Sequence, residues 1–514
     1  MRIGIDFDNT IACYDKLFHH VGVLNGLLDG TKSLTKVEVK RVIQARPDGD
    51  KIWQKLQGQV YGPFMEHATM FPGLGRFLLR AKHKGHNIYI ISHKTEFGHF
   101  DKTRTLLRQE SLLWMERLGF FDSNYFSLAR DNVFFESTRK EKVTRIADQG
   151  VDVMIDDLRE VFDEPHFPKI KTFLFGADQG WHQISEALFG VESDSDRMMM
   201  CQNMHAVETI NSLTQIQNGR NSCVFTINTA AGSPFVVKFY PDRQKDSRER
   251  LHNEVTALDI IKHIQPEIKT IKADYNLDIG IFSRIDGQKI EIPNDDDINS
   301  MLNFVDSLFD LSKSTPYSAI GLASESCLCA KDILMQIDRR IAIYSKYDHP
   351  LLKDIMKKIK ICFERVKNHV LSIWPNNSIS TLLSKNNLII SPSDFGFHNA
   401  IRDVKGKIIF LDFEYFGWDD PVKLCIDTIL HPGMHLAHDQ KVYIAYHFHH
   451  LCDGDPDFKV RFQAAWPLYR LRWGLILLNS LQQKNVNGII EEQYKKAISM
   501  IEPIFQSNME CPYV

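Results

Sequence analysis

Several absences narrow the field before any motif is read. No apolar run in the 514 residues approaches the ~18–20 that a membrane helix requires, so a spanning protein is not expected. The nine cysteines are odd in number and form no Cys-x-x-Cys pair, which argues against a disulfide scaffold and points to reduced thiols. Neither charge dominates: 62 Lys+Arg against 65 Asp+Glu leave −3, too little to hold a nucleic acid by a general basic field. There is no internal repeat and no low-complexity tract. The N-terminus, MRIGIDFDNT, carries Asp6 and Asp8 where a signal peptide would need an apolar stretch, so a cytoplasmic setting is expected. What remains is ordinary: 43% hydrophobic and 25% charged residues, in a chain long enough for about three globular units.

The first 190 residues alternate short apolar segments with helical ones. Arg2–Ile5, Asn87–Ile91, Val151–Ile155 and Lys171–Phe175 read as strands, an arrangement typical of a parallel sheet. Residues 14–70 are helical and too long for a simple crossover, so they form a candidate cap over the sheet edge. The run Gly190–Asn203 has no clear period and is taken as the boundary, with a linker at 191–204. Beyond it, Ser222–Asn228 and Phe235–Tyr240 read as a hairpin, followed by a charged helix and the strand Ile279–Ile285. From about 296 the chain is helical apart from a β-rich interruption at Asn387–Phe413.

Polar residues collect where the early strands stop: Asp6 and Asp8, Ser92, then Asp156 and Asp157. In open α/β sheets that carboxyl edge is where ligands bind. Several carboxylates gathered at one edge raise one another's pKa, and a divalent cation removes the penalty. Mg²⁺ suits a few carboxylates plus phosphate oxygens. This layout resembles the haloacid dehalogenase (HAD) superfamily over about residues 1–190. Its DxDxT motif stands as Asp6-Phe7-Asp8-Asn9-Thr10, its Ser/Thr strand end as Ser92, its cap lead-in as Phe71-Pro72-Gly73 and its acidic pair as Asp156-Asp157. The resemblance implies that Asp6 attacks phosphorus, that Asp8 handles the leaving-group proton, and that Ser92 and Lys142 hold phosphoryl oxygens. Lys140 is the near alternative to Lys142. Asp6, Asp8, Asp156 and Asp157 are the implied Mg²⁺ residues.

A second set lies further on. Lys238 sits within the apolar Val236-Val237-Lys238-Phe239, and a lysine in such a strand needs a partner or an anion. Glu254 follows in a helix; a strand Lys with a helix Glu is how kinases position ATP phosphates. Then come Asp394, Asn399 and Asp412, an acid for the acceptor hydroxyl and two oxygen ligands for Mg²⁺, in the order phosphoryl transfer uses them. These residues resemble the aminoglycoside phosphotransferase and choline kinase group over about 205–510, with Pro392 where the family places His. The resemblance implies a nucleotide loop at Gly219, Asn221 and Ser222, and a hinge at Phe282-Ser283-Arg284-Ile285.

The fold expected is thus an α/β, HAD-like parallel-sheet domain with a small helical cap, then a bilobal protein-kinase-like (α+β) domain. Its small lobe spans about 205–290 and its large lobe about 291–514. The function expected is a bifunctional phosphatase and kinase using Mg²⁺ and ATP. Its partners are a small-molecule phosphate ester and a hydroxyl acceptor, plausibly sugar or sugar-alcohol phosphates, with no membrane and no nucleic acid. The alternatives are a regulatory or ligand-binding protein with one degenerate domain, and a nucleic-acid end-repair enzyme, against which the charge balance argues. The histidines of Tyr446–Cys452 are read as a helix face and not a metal site; His431, His435 and His438 follow Asp427 and could touch substrate, though a helix surface is the commoner place for histidine.

Overall fold

A computed structural model describes residues 1–30, 34–100, 104–204, 209–218, 222–229, 232, 235–244, 246–347, 350–375, 378–479, 487–506 and 509–513. The chain forms two compact units. One comprises Met1–Ser247 with Ile271–Phe282; the other comprises Arg248–Thr270 with Ser283–Val514.

The first unit is built on a five-stranded parallel sheet in the order Val133–Glu136, Asn87–His93, Arg2–Ile5, Val153–Asp156, Lys171–Leu174. Strand Arg2–Ile5 is central, and the chain departs from it in opposite directions, which makes its carboxyl end the switch point of the sheet. Ile3, Ile5, Ile90, Val153 and Ile155 are fully or almost fully buried, as strands covered on both faces must be. The edge strand Val133–Glu136 was not anticipated. Its four residues are all half-buried and too few to show a period. Residues 14–70 fold as expected into helices, Asp15–Leu24, Lys36–Gln44 and Gly49–Tyr61. Thr35 starts the second of these through a capping box with Glu38, which satisfies backbone donors that the first turn leaves open.

The same unit holds an antiparallel sheet ordered Thr270–Asp274, Ile279–Ser283, Phe235–Phe239, Cys223–Thr229, Ile210–Asn218. Phe235 pairs with Ile227 and Lys238 with Val224, the expected hairpin. The segment 191–204, expected as a linker, is instead a helix over Asp194–Asn203 capped by Ser193. The Met run that hid its period is its buried face: Met199, Met200 and Cys201 join one core with Ile3, Phe77, Phe225, Val237 and Ile281. Arg80 and Asp196 pair at 3.2 Å while both are buried, and breaking such a pair costs about 3–5 kcal/mol. Arg76 donates to the carbonyls of Leu277, Tyr240 and Asp278 at 2.6, 3.1 and 3.0 Å. Gly75, in the helix Leu74–His83 that also carries Arg76, lets that helix approach closely, since a Cβ there would meet the Asn276 carbonyl at 2.5 Å. The antiparallel sheet and the parallel sheet therefore share a core, and no chain break in packing falls at 191–204.

The second unit is mainly helical, including Asp295–Ser314, Ala330–Tyr344, Pro350–Ile373, Pro421–Leu430, His438–Leu451 and Phe458–Leu477. The expected β interruption is present. Ala400–Asp403 pairs with Gly287–Lys289 and Ile408–Phe410, and Ile389–Ser391 pairs with Gly417–Asp419. No helix among the described residues is long and apolar enough to cross a membrane.

Candidate functional site

At the switch point of the parallel sheet the chain turns sharply after Ile5, with Asn9 in the left-handed region at φ 61°. This turn brings residues from separate strands together. Ser92 Oγ donates to Asp6 Oδ1 at 2.9 Å. Lys142, from the helix Arg139–Asp148, places its ammonium between two carboxylates, 2.5 Å from Asp6 Oδ1 and 2.6 Å from Asp156 Oδ2. Lys140 is exposed on the same helix, so Lys142 is the lysine that reaches the cluster. Asp6, Ser92, Lys142 and Asp156 are all buried.

The electrostatics follow from this crowding. Burial and the Asp6 carboxylate raise both Asp156 and Asp157 above the usual carboxylate range, with Lys142 pulling the other way. Burial also works against the Lys142 charge, but Asp6 and Asp156 outweigh it and hold the ammonium above its ordinary value. Oxygen atoms of Asp6, Asp156 and Asp157 lie within 4.8 Å of one another, a hard-oxygen set of the kind Mg²⁺ takes. The acids and the donor chemistry fit that ion.

Asp8 departs from its expected place as a metal ligand. Its carboxylate turns to Lys94 Nζ, at 2.8 and 2.9 Å, and accepts from the Tyr14 hydroxyl at 2.5 Å. Lys94 is buried, with its ammonium 5.2 Å from the Phe7 ring centre and 5.1 Å from that of Tyr61. From the helix Lys36–Gln44, Lys36 Nζ reaches the Asn9 side-chain oxygen at 2.5 Å and the Tyr61 hydroxyl at 3.1 Å. Burial lowers the pKa of Lys36. None of Lys94, Lys36, Tyr14 and Tyr61 was found in the sequence. Lys94 stands two residues beyond Ser92, and that spacing was the available signal. The others come from a helical region where no motif speaks.

In the second unit, the loop after Ile389–Ser391 carries Ser393 at φ 67° and leads into Asp394. His398 Nε2 lies 3.0 Å from Asp394 Oδ1, and the Asn399 carboxamide donates to the Asp394 carbonyl at 3.0 Å. Asn399 thus braces the Asp394 turn with its nitrogen. Burial would raise Asp394, but the hydrogen bond and charge of His398 hold it below the usual carboxylate range. His431, expected on a helix surface, is instead stacked on His398 with ring centres 3.7 Å apart. A separate group forms from Glu254, Asp412 and Glu414, whose carboxylate oxygens lie within 4.8 Å of one another. Asp412 is at φ 66°, a conformation that a non-glycine residue adopts at a cost. Glu254 and Glu414 are buried, and Glu414 is also bonded by Arg250. These hard oxygens fit Mg²⁺ as well.

Lys238 lies half-buried on the strand Phe235–Phe239, its ammonium 5.9 Å from the Phe282 ring centre, and Ser222 is buried just before the strand Cys223–Thr229. Gly219 and Asn221 lie outside the described residues.

No family model matches the chain, and no curated protein matches it. Among solved structures it is similar to an ethanolamine kinase of Plasmodium vivax, at 15% identity and TM-score 0.43, over 65% of this chain and 96% of that one. It is similar to the choline kinase LicA of Streptococcus pneumoniae, at 13% identity and TM-score 0.40, over 60% of this chain and 99% of that one. It is also similar to the ADP-bound aminoglycoside phosphotransferase APH(2'')-Ib, at 13% identity and TM-score 0.42, over 60% of this chain and 98% of that one.

Proposed function

We propose that the chain carries two Mg²⁺-dependent phosphoryl-transfer centres: a phosphatase at Asp6 and an ATP-dependent kinase at Asp394, both acting on small metabolites. The observation that carries the reading is the buried cluster of Asp6, Ser92, Lys142 and Asp156 at the switch point. A structural core gains little from so many buried ions, because desolvation offsets their attraction. A site that must receive a phosphate dianion uses them.

In the phosphatase centre, a carboxylate oxygen of Asp6 attacks phosphorus and the ester oxygen leaves, forming an aspartyl-phosphate. Asp8 supplies the proton to the leaving oxygen and later takes one from water. Because Lys94 and Tyr14 hold Asp8, that contact must open before the proton is delivered. Ser92 and Lys142 orient the phosphoryl oxygens. Bound Mg²⁺ would sit with Asp6, Asp156 and Asp157 and neutralise charge on the phosphoryl group. In the kinase centre, Asp394 receives the acceptor hydroxyl proton. Asp412, with Glu254 or Glu414, would hold Mg²⁺ and so neutralise charge on the phosphoryl groups. Sugar or sugar-alcohol phosphates are the proposed substrate class, which leaves the two centres to act at different positions of one pathway rather than in a futile cycle.

The test is direct. The full chain should release phosphate from an aryl phosphate only with Mg²⁺, and Asp6→Asn should abolish that release. It should convert ATP to ADP, and Asp394→Asn should abolish that conversion. Absence of both activities in the wild type, on a broad metabolite panel, would favour a binding protein.

A further inference from the structure

The turn around Asp394 holds two imidazoles to which the chemistry above gives no task. His398 lies in the short turn Phe397–Asn399, with Nε2 3.0 Å from Asp394 Oδ1. His431 follows the helix Pro421–Leu430, and its Nε2 is 4.0 Å from the same Oδ1. The rings stack at 3.7 Å and 13°. His431 Nδ1 accepts the Gly433 backbone N–H at 3.1 Å. A ring nitrogen that accepts carries no proton, so neutral His431 has its proton on Nε2, facing Asp394. That leaves Nε2 no lone pair to give a metal. The grouping of Asp394, His398 and His431 within 4.8 Å therefore holds one hydrogen bond to Oδ1, from His398, with His431 stacked behind that ring and its N–H 4.0 Å away, and is not a cation site.

The rest of the second unit keeps His431 in place. Trp473 meets it edge to face at 4.9 Å and 88°. The Trp473 indole donates to Asp427 at 2.7 Å, and Asp427 is paired with Arg472 at 3.0 Å, all of them buried. Burial, then the neighbouring His398, lowers the His431 pKa to about 4, so the ring is neutral at physiological pH. Asp394 meanwhile keeps 41% of its side-chain surface exposed and stays open to an acceptor.

We infer that His398 and His431 are positioning residues that fix Asp394 Oδ1 and leave Oδ2 as the oxygen that takes the acceptor proton. The inference rests on the kinase reading above. In the step concerned, the acceptor oxygen bonds to the γ-phosphorus of a nucleoside triphosphate. The bond from that phosphorus to its bridging oxygen breaks, and the nucleoside diphosphate leaves with the electron pair. The hydroxyl proton passes to Oδ2. Neither histidine gains or loses a proton. An untethered carboxylate would rotate about Cβ–Cγ and offer either oxygen in turn, and misplacement on that scale is costly.

Two measurements on the full chain test this. Ring-¹⁵N NMR of the histidines should find His431 as the Nε2–H tautomer; an Nδ1–H tautomer overturns the inference alone and leaves the kinase reading intact. In steady-state conversion of Mg-ATP to ADP with water as acceptor, His398→Ala and His431→Ala should each lower kcat about tenfold to hundredfold with KM for ATP unchanged. His398→Gln and His431→Gln, which keep an N–H donor, should recover most of the loss. Equal losses in the Ala and Gln variants, a loss confined to KM, or no loss at all would overturn the inference. A wild type that turns over no ATP, or turnover that survives Asp394→Asn, would overturn the kinase reading and this inference with it.

Discussion

The two candidate centres handle buried acid in opposite ways. At the switch point of the parallel sheet, four carboxylates crowd around Lys142 and Lys94, and burial leaves Asp156 and Asp157 raised. In the second unit, Asp394 keeps part of its carboxylate exposed, and the hydrogen bond and charge of His398 hold it lowered against the effect of burial. The first arrangement stores a deficit of positive charge that a cation and a phosphate group can use. The second tunes one carboxylate and keeps its other acids, Glu254, Asp412 and Glu414, as a distinct group. A centre that forms a covalent phospho-enzyme needs its nucleophile immobilised among cations. A centre that only receives a proton needs one accessible oxygen in a fixed direction.

That contrast can be broken most severely at Asp6. Asp6→Asn should reduce phosphate release from an aryl phosphate to background, read by a colorimetric time course, while ATP turnover stays at the wild-type rate. Asp8→Asn should cost about 10²- to 10⁴-fold with a poor leaving group, the usual worth of general acid–base catalysis, and less with an aryl leaving group. A Brønsted series of phosphate esters would read the difference.

Lys142→Met leaves Asp6 and Asp156 buried without their cation and should destabilise the first unit by about 3–5 kcal/mol in metal-free buffer. Added Mg²⁺ should recover part of that in a thermal melt. If Lys142→Met is neutral, the cluster is not the charge-balanced site described here.

The contributions of the two centres to pH-dependent stability should have opposite sign. Asp156 and Asp157 are raised, so the folded first unit binds more protons than the unfolded chain, and in metal-free buffer its stability should fall as pH rises from the ordinary aspartate range toward neutrality. Asp394 and His431 are lowered, so the stability they contribute to the second unit should be lost as pH falls, first through the ordinary histidine range and then through the carboxylate range. Hydrogen exchange at several pH values separates the units. The smallest effect is expected at the helix Lys36–Gln44: Thr35→Ala removes its capping box and should cost about 1 kcal/mol, seen as faster exchange there.

Much of this was legible in the sequence because acids at strand ends have a reason to be there. Asp6, Ser92 and Asp156 were found at strand ends and Lys142 through the family resemblance, and the structure brings them within hydrogen-bond reach. Lys94 was not, because a lone lysine after a strand looks like any surface charge until its burial is known. His431 was read as surface because helix periodicity does not show that the chain leaves the helix at that residue and folds the ring onto His398. The segment 191–204 was read as a linker because acids and Ser precede a Met run with no clear period; Met199, Met200 and Met204 prove to be core. In each miss the deciding fact was a contact distant in sequence, which local pattern does not carry.

The most direct test of the central claim is a two-by-two assay of Asp6→Asn and Asp394→Asn in the full chain, each measured for Mg²⁺-dependent phosphate release from an aryl phosphate and for ATP-to-ADP turnover. Two independent centres require that each substitution silence one activity and spare the other. A substitution that silences both, or neither, would contradict the claim.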